Sequence, residues 1–302
     1  MFATTSVLAG LLLLATVSLS QAAEQNVILD NLLELGVPIG NARFRLPDPT
    51  LPDGLNAGQQ RQALAPITDN GHPLDGLMRK AVVAPFVLRI KDEPDAGQGR
   101  PRRVDLWFVA HGDFDHLSDE DFLQQQVDTE TTSQQGGSLM EGTILTDEQL
   151  RARKIAIVPD ERFLTIKLEL FDRVNVRGTM RARLSRGTES VTVAAMLEQQ
   201  FVPDHEFPNA WSSLKLDDAG RTVIGAARPY VGAAWYCKAT KLKQPQGAIL
   251  IEYHILFDEP EGWFNGANLL RSKLPLLVQD GVRKFRRRFA EQTGPRQQTA
   301  AD

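Results

Sequence analysis

The chain has 302 residues, of which 42% are hydrophobic and 24% charged. Those fractions belong to an ordinary globular protein and exclude a wholly disordered, fibrous or collagen-like chain. With 34 basic and 38 acidic residues the net charge is −4, which speaks against nucleic acid as a partner, and the lone cysteine rules out an intramolecular disulfide.

Residues 1–22 contain no Asp, Glu, Lys or Arg, and Val7 to Leu19 form an apolar stretch followed by Ser20-Gln21-Ala22. Small residues at the first and last of those three positions fit a signal-peptidase site, so cleavage is expected after Ala22. The apolar core is shorter than the ~20 residues a spanning helix needs. No cysteine follows the cleavage site to carry a lipid, since Cys237 stands alone. The expected product is an exported soluble protein, secreted or periplasmic, whose charge stays at −4 because the leader is uncharged. Cys237 lies in a strand-like stretch and reads as a buried, inert thiol.

Val27 to Leu35 shows helical spacing and stops at Gly36. Pro47 to Pro73 is punctuated by Pro, Gly, Asn and Asp, with a short helix expected over Asn56 to Leu64. Residues 23–79 thus read as an N-terminal helix and an arm laid over a core. A single α+β domain is expected over 80–290, with a disordered tail at 291–302. Val82 to Ile90 and Arg103 to Ala110 read as strands joined by the polar turn DEPDAGQGRPR, a hairpin. Pro85 marks an edge or bulge in the first. Ser118 opens a helix over Asp119 to Gln126, and Thr146-Asp-Glu-Gln149 a better capped one over Asp147 to Lys154. The polar residues between these helices read as loop.

From Leu164 the period changes to two, with Leu164, Ile166, Leu168 and Leu170 alternating against Thr165, Lys167 and Glu169. The pattern continues from Val174 to Leu184, with Gly178 expected to be a bulge, and resumes at Val191 to Ala195. Further strands are expected at Leu214 to Leu216, Thr222 to Ala226, Tyr230 to Ala239 and Ala248 to Phe257, joined by short turns that demand antiparallel pairing. Leu270, Leu274, Leu277, Val278, Val282, Phe285 and Phe289 fall on one arc of a C-terminal helix, expected to start in earnest at Pro275. The fold class is therefore α+β, a curved antiparallel sheet packed on a long C-terminal amphipathic helix.

That order of hairpin, helices, antiparallel run and final helix resembles the START-like helix-grip fold over roughly residues 80 to 290, a resemblance of element order. It implies a binding domain, not an enzyme, that holds an apolar small molecule or lipid between sheet and helix, without a cofactor. The lining residues would be Leu274, Leu277, Val278, Val282 and Phe285. Trp263, in the link before the helix, would stand at the mouth or cap the seam.

Three other features carry chemistry. In Val109-Ala-His111-Gly-Asp113-Phe-Asp115-His116, two imidazoles and two carboxylates fall within six residues, a donor set suited to a divalent metal. The string is similar to the H-x-H-x-D-H motif of metallo-β-lactamase-type hydrolases, with Asp113 in place of the second His. By that resemblance His111, Asp113, Asp115 and His116 would hold Zn or Fe to activate water, and the site would have to be completed from the remaining histidines His72, His205 and His254. The bland alternative is a polar loop in which Asp113 or Asp115 makes turn hydrogen bonds. Glu252 and His254 share one strand face, where a polar contact on a wet surface is expected. The final helix carries seven Lys or Arg from Arg271 to Arg288 against Asp280, a face suited to solvent or to an anionic membrane surface. A structural or interaction protein without a cavity is the remaining reading.

Overall fold

The computed structural model describes residues 25–68, 73–94, 99–118, 139–264 and 268–293. The expected leader, the helix over Asp119 to Gln126 and the end of the C-terminal tail lie outside them. Helix α1 (Val27–Glu34) opens on Asn26, whose side chain accepts from Leu29 N–H at 3.1 Å, satisfying one of the orphan donors of the first turn. A small hairpin, β1 (Val37–Ile39) and β2 (Ala42–Phe44), follows, then helices α2 (Ala57–Thr68) and α3 (Leu74–Leu77). Strands β3 (Val87–Asp92) and β4 (Arg100–His111) form the expected hairpin, registered Ile90 to Val104. β3 starts five residues later than the apolar run suggested, because Pro85 cannot donate to the ladder.

Strand β5 (Leu139–Ile144) occupies part of what reads as polar loop in sequence; its pairing with β6 recruits it into the sheet. Helix α4 (Asp147–Ala152) carries the full capping box of Thr146 and Gln149. Then come β6 (Glu161–Leu170), β7 (Val174–Arg186), β8 (Ser190–Leu197), β9 (Ala210–Leu216), the short β10 (Thr222–Ile224) and β11 (Arg228–Pro229), β12 (Ala233–Lys241) and β13 (Ala248–Glu259). All pairings are antiparallel. The path β6-β7-β8-β12-β13-β4-β3 is extended by β5 on β6 and by β9, with β10 and β11, on β7.

Gly178 is not a bulge. Its pairing with Ile166 continues an unbroken register between β6 and β7, while the other edge of β7 passes there from β9 to β8. A Cβ at this position would stand 2.7 Å from Leu197 Cδ1, so the residue is small to admit a neighbouring side chain.

Helix α5 (Leu269–Thr293) runs through Pro275 without stopping. A proline costs the helix one backbone hydrogen bond, and the packing of the flanking turns outweighs that loss. The inward residues of β4, β13, β12, β8 and β7 join Leu270, Val278, Val282, Phe285 and Phe289 of α5 in one cluster, so the sheet curves around the helix.

The opposite face of the sheet is covered as well. The N-terminal arm lies across it, with Leu51, Leu64 and Leu77 packed on Trp107, Val109 and Leu250, and Ile28, Leu32 and Ile39 on Ala194, Tyr236 and Leu256. Each fully buried apolar side chain of this kind contributes about 1.5–3 kcal/mol. The arm is also pinned by polar contacts: Asn26 donates to Arg183 O and Ser185 Oγ at 3.1 Å each, Tyr236 OH to Pro47 O at 2.8 Å, and Lys238 Nζ to Leu51 O at 2.8 Å. The molecule has three layers, arm on sheet on helix.

Candidate functional site

The seam between sheet and α5 is solid at one end and half-open at the other. From its tenth residue onward the helix buries Val278, Val282, Phe285 and Phe289. Phe285 meets Phe108 edge-to-face at 5.5 Å and stacks on Phe289 at 5.7 Å, close to the separations aromatic pairs favour. Three of the expected lining residues, Val278, Val282 and Phe285, therefore sit in a packed core. Leu274, one turn before Val278, and Leu277, the residue just before it, are only half-buried. On the same inner face, Ile166, Leu168 and Leu170 of β6 and Ile255 and Phe257 of β13 are half-buried too.

Trp263 is 3% exposed. Its ring stacks on Tyr230 at 5.5 Å and Phe257 at 6.3 Å and meets Trp211 at 6.2 Å and Phe264 at 5.9 Å. It caps the seam as part of an aromatic cluster. Outside that cap, a cavity of about 1050 Å³ runs between the β6–β7 turn, β9, β10 and the first turns of α5. A groove of about 690 Å³ lies on the other flank, between the free edge of β3 and α5, bordered by Phe86, Leu88, Ile90 and Val282.

The His111 loop takes its bland form. Asp115 N–H donates to Asp113 Oδ1 at 3.1 Å, and His116 Nδ1 stands 3.7 Å from Asp113 Oδ2. Among the described residues no group of three or more His, Cys, Asp or Glu is gathered to hold a metal ion. Burial pushes the pKa of His111 down, and Lys80 and Arg286 push it the same way; that cationic surrounding repels a divalent ion. His254, one of the histidines left to complete such a site, is engaged elsewhere, on the arm side of the sheet.

Glu252 and His254 are not on a wet face. Both are buried under the arm, at 0% and 1% exposure. The register sets Asp105 of β4 opposite His254 and Lys238 of β12 opposite Glu252. His254 Nδ1 lies 2.8 Å from Asp105 Oδ1, and its Nε2 lies 3.2 Å from Glu252 Oε2. Thr50 of the arm closes the network, its N–H and hydroxyl both donating to Glu252 at 3.0 and 2.7 Å, while Trp107 Nε1 donates to Thr50 Oγ1 at 2.9 Å. Burial alone would lower the pKa of His254, but the hydrogen bonds to Asp105 and Glu252 outweigh it and the pKa is raised. The network lies beneath the arm and, through Thr50, ties the arm to the sheet.

The basic face of α5 is also divided. Arg286 is buried, not solvated: its guanidinium donates to the carbonyls of Val109 at 2.8 Å, Pro85 at 2.9 Å, Val82 at 3.3 Å and Ala84. Burial lowers its pKa to about 10. It lands inside because 100° per residue puts it beside Val282 and Phe289 on the arc. Arg271 pairs with Asp92 at 3.4 Å and Lys284 with Asp280 at 3.0 Å. Cys237 is buried as expected, and burial pushes its pKa up to about 12.

No family model matches the chain, and no curated protein matches it. A matching solved structure is that of human STARD10. The match is 9% identical with a TM-score of 0.35, covering 80% of this chain and 84% of that one. The helix-grip arrangement of this chain rests on its own strand order and on the helix seated in the curve of its sheet. Sequence reading named Trp263, Leu274 and Leu277 but missed the cavity outside the cap, since its walls come from three separated stretches. It also missed Thr50 and Asp105 as partners of Glu252 and His254.

Proposed function

We propose that the protein is a non-catalytic binding domain for an apolar or lipid-like ligand held between the sheet and the N-terminal half of α5. The observation that carries this reading is the half-buried set of Leu274 and Leu277 with Ile166, Leu168 and Leu170, apolar side chains left partly open at one end of the seam. Apolar surface in a concave seam is what a hydrophobic ligand covers. Trp263 stands at the mouth, and Val278, Val282 and Phe285 form the floor against which such a ligand would end. Export with cleavage after Ala22 belongs to the same proposal and rests on the uncharged apolar leader; N-terminal sequencing of protein recovered outside the cytoplasm tests it.

Solvent extraction and mass spectrometry of the purified chain test the ligand. Bound lipid or fatty acid should co-purify at close to one per chain, and Leu277→Asp should abolish loading while leaving the melting transition cooperative, because Leu277 is already half exposed. A wild-type protein that neither carries nor takes up an apolar molecule ends the proposal.

A further inference from the structure

The cavity outside the Trp263 cap has walls of net positive charge. Its walls carry Arg173, Lys215, Arg228 and Lys273 against Glu169 and Asp172, an excess of two positive charges on a chain of net −4. Several arginines elsewhere on this protein are paired with carboxylates, as Arg102 is with Glu259 and Arg153 with Asp204. Among the described residues none of the four cations here makes an ion pair. Two of them are instead held over aromatic rings, Arg228 5.2 Å from Trp211 and Lys273 6.0 Å from Phe171, which keeps their charge at the cavity wall without neutralising it.

The floor is apolar and aromatic. Trp211 and Trp263 are buried, while Leu216 at the rim is 72% exposed. Trp263 is one of the residues lining this cavity, and its indole N–H is buried with no acceptor among the described residues. A buried donor of that kind costs free energy until an acceptor reaches it.

We propose that this cavity binds the anionic head group of an amphiphile, a carboxylate, sulfate or phosphate joined to an apolar chain. The head group is held by Lys273, Arg228, Arg173 and Lys215, and the apolar part is directed past the aromatic cap toward Leu274 and Leu277. Lys273 sits on α5 one residue before Leu274, so the charged end and the apolar end of one molecule are addressed by consecutive positions of the helix. This inference rests on the proposed binding of an apolar ligand in the seam and adds the ligand's charge.

The test is calorimetric titration of the full chain with decyl phosphate, decanoate, decanol and inorganic phosphate. The two charged amphiphiles should bind about tenfold tighter than decanol, the scale of two exposed ion pairs. The double variant Lys273→Gln, Arg228→Gln should lose that preference while binding decanol as before. Equal binding of decanol and the charged amphiphiles to the unaltered chain overturns the head-group site and leaves the apolar-ligand reading standing, as does a preference that survives in the double variant. Absence of binding by all three decyl compounds refutes both. Inorganic phosphate binding as tightly as decyl phosphate makes the cavity a plain anion site and overturns the amphiphile.

Discussion

Replacing His254 by glutamine tests whether the arm is fastened by a buried charge. In the native protein the imidazole ring lies between two buried carboxylates, 2.8 Å from Asp105 and 3.2 Å from Glu252. Removing one member of a buried ion pair costs about 3–5 kcal/mol, mostly the penalty of the charge left behind. Part of that is recovered here. The glutamine amide donates to one carboxylate, Lys91 and Arg103 stand 3.9 and 3.4 Å from Asp105, and Thr50 still donates twice to Glu252. The expected loss is therefore about 3 kcal/mol, or a fall in Tm of roughly 5 °C for a chain of this size. The pH dependence supplies the sign. His254 has a pKa raised above the ordinary 6.5, so its stabilisation is fully present below that value and is lost as pH rises through the folded pKa. The gap between wild type and variant should be widest near about pH 6 and should narrow as pH rises through the folded pKa. Urea denaturation across that range measures it. A loss under about 1 kcal/mol, or a gap that is the same at both ends, would refute the reasoning.

Three further outcomes follow from the same contacts. Thr50→Val removes the hydroxyl that joins Trp107 Nε1 to Glu252 and should cost about 1–3 kcal/mol in denaturant titration. Limited proteolysis of that variant should cut first within the arm. Arg286→Met leaves the carbonyls of Val109, Val82, Ala84 and Pro85 without their shared donor and should lower stability by about 3 kcal/mol; a stability unchanged within error means those carbonyls find other donors. Cys237, with its pKa pushed up to about 12 by burial, should be inert to a thiol reagent at mildly alkaline pH and should react stoichiometrically once urea unfolds the chain.

Much of this architecture was legible in local pattern. The alternation of Val104, Leu106, Phe108 and Ala110 against Asp105, Trp107 and Val109 assigned β4 two faces, and the structure keeps every one of those residues on its expected side. The capping box at Thr146 and the arc of Leu270 to Phe289 were likewise local, set by one turn or by the period of one helix. What failed were inferences about what lies over a face. Polar residues alternating with apolar ones suggested solvent above Glu252 and His254, yet Thr50, more than 200 positions away in sequence, covers them. Arg286 looked like part of a basic surface and is a pin through four carbonyls. For the ligand site, sequence named the residues along the seam but could not separate Val278, Val282 and Phe285, which pack, from Leu274 and Leu277, which remain half open.

By itself, then, the sequence determined the elements, their faces and the antiparallel connection of strands too closely spaced for any crossover. Only the tertiary structure decided that both faces of the sheet are covered, that Asp105 meets His254, and that four cations gather around Trp263. The reason is physical. Periodicity is a property of neighbouring residues and reports which side of an element is apolar. Register and coverage depend on which distant segment arrives to bury that side, and here the arm at residues 47–51 and the β9–β10 hairpin each come from far along the chain.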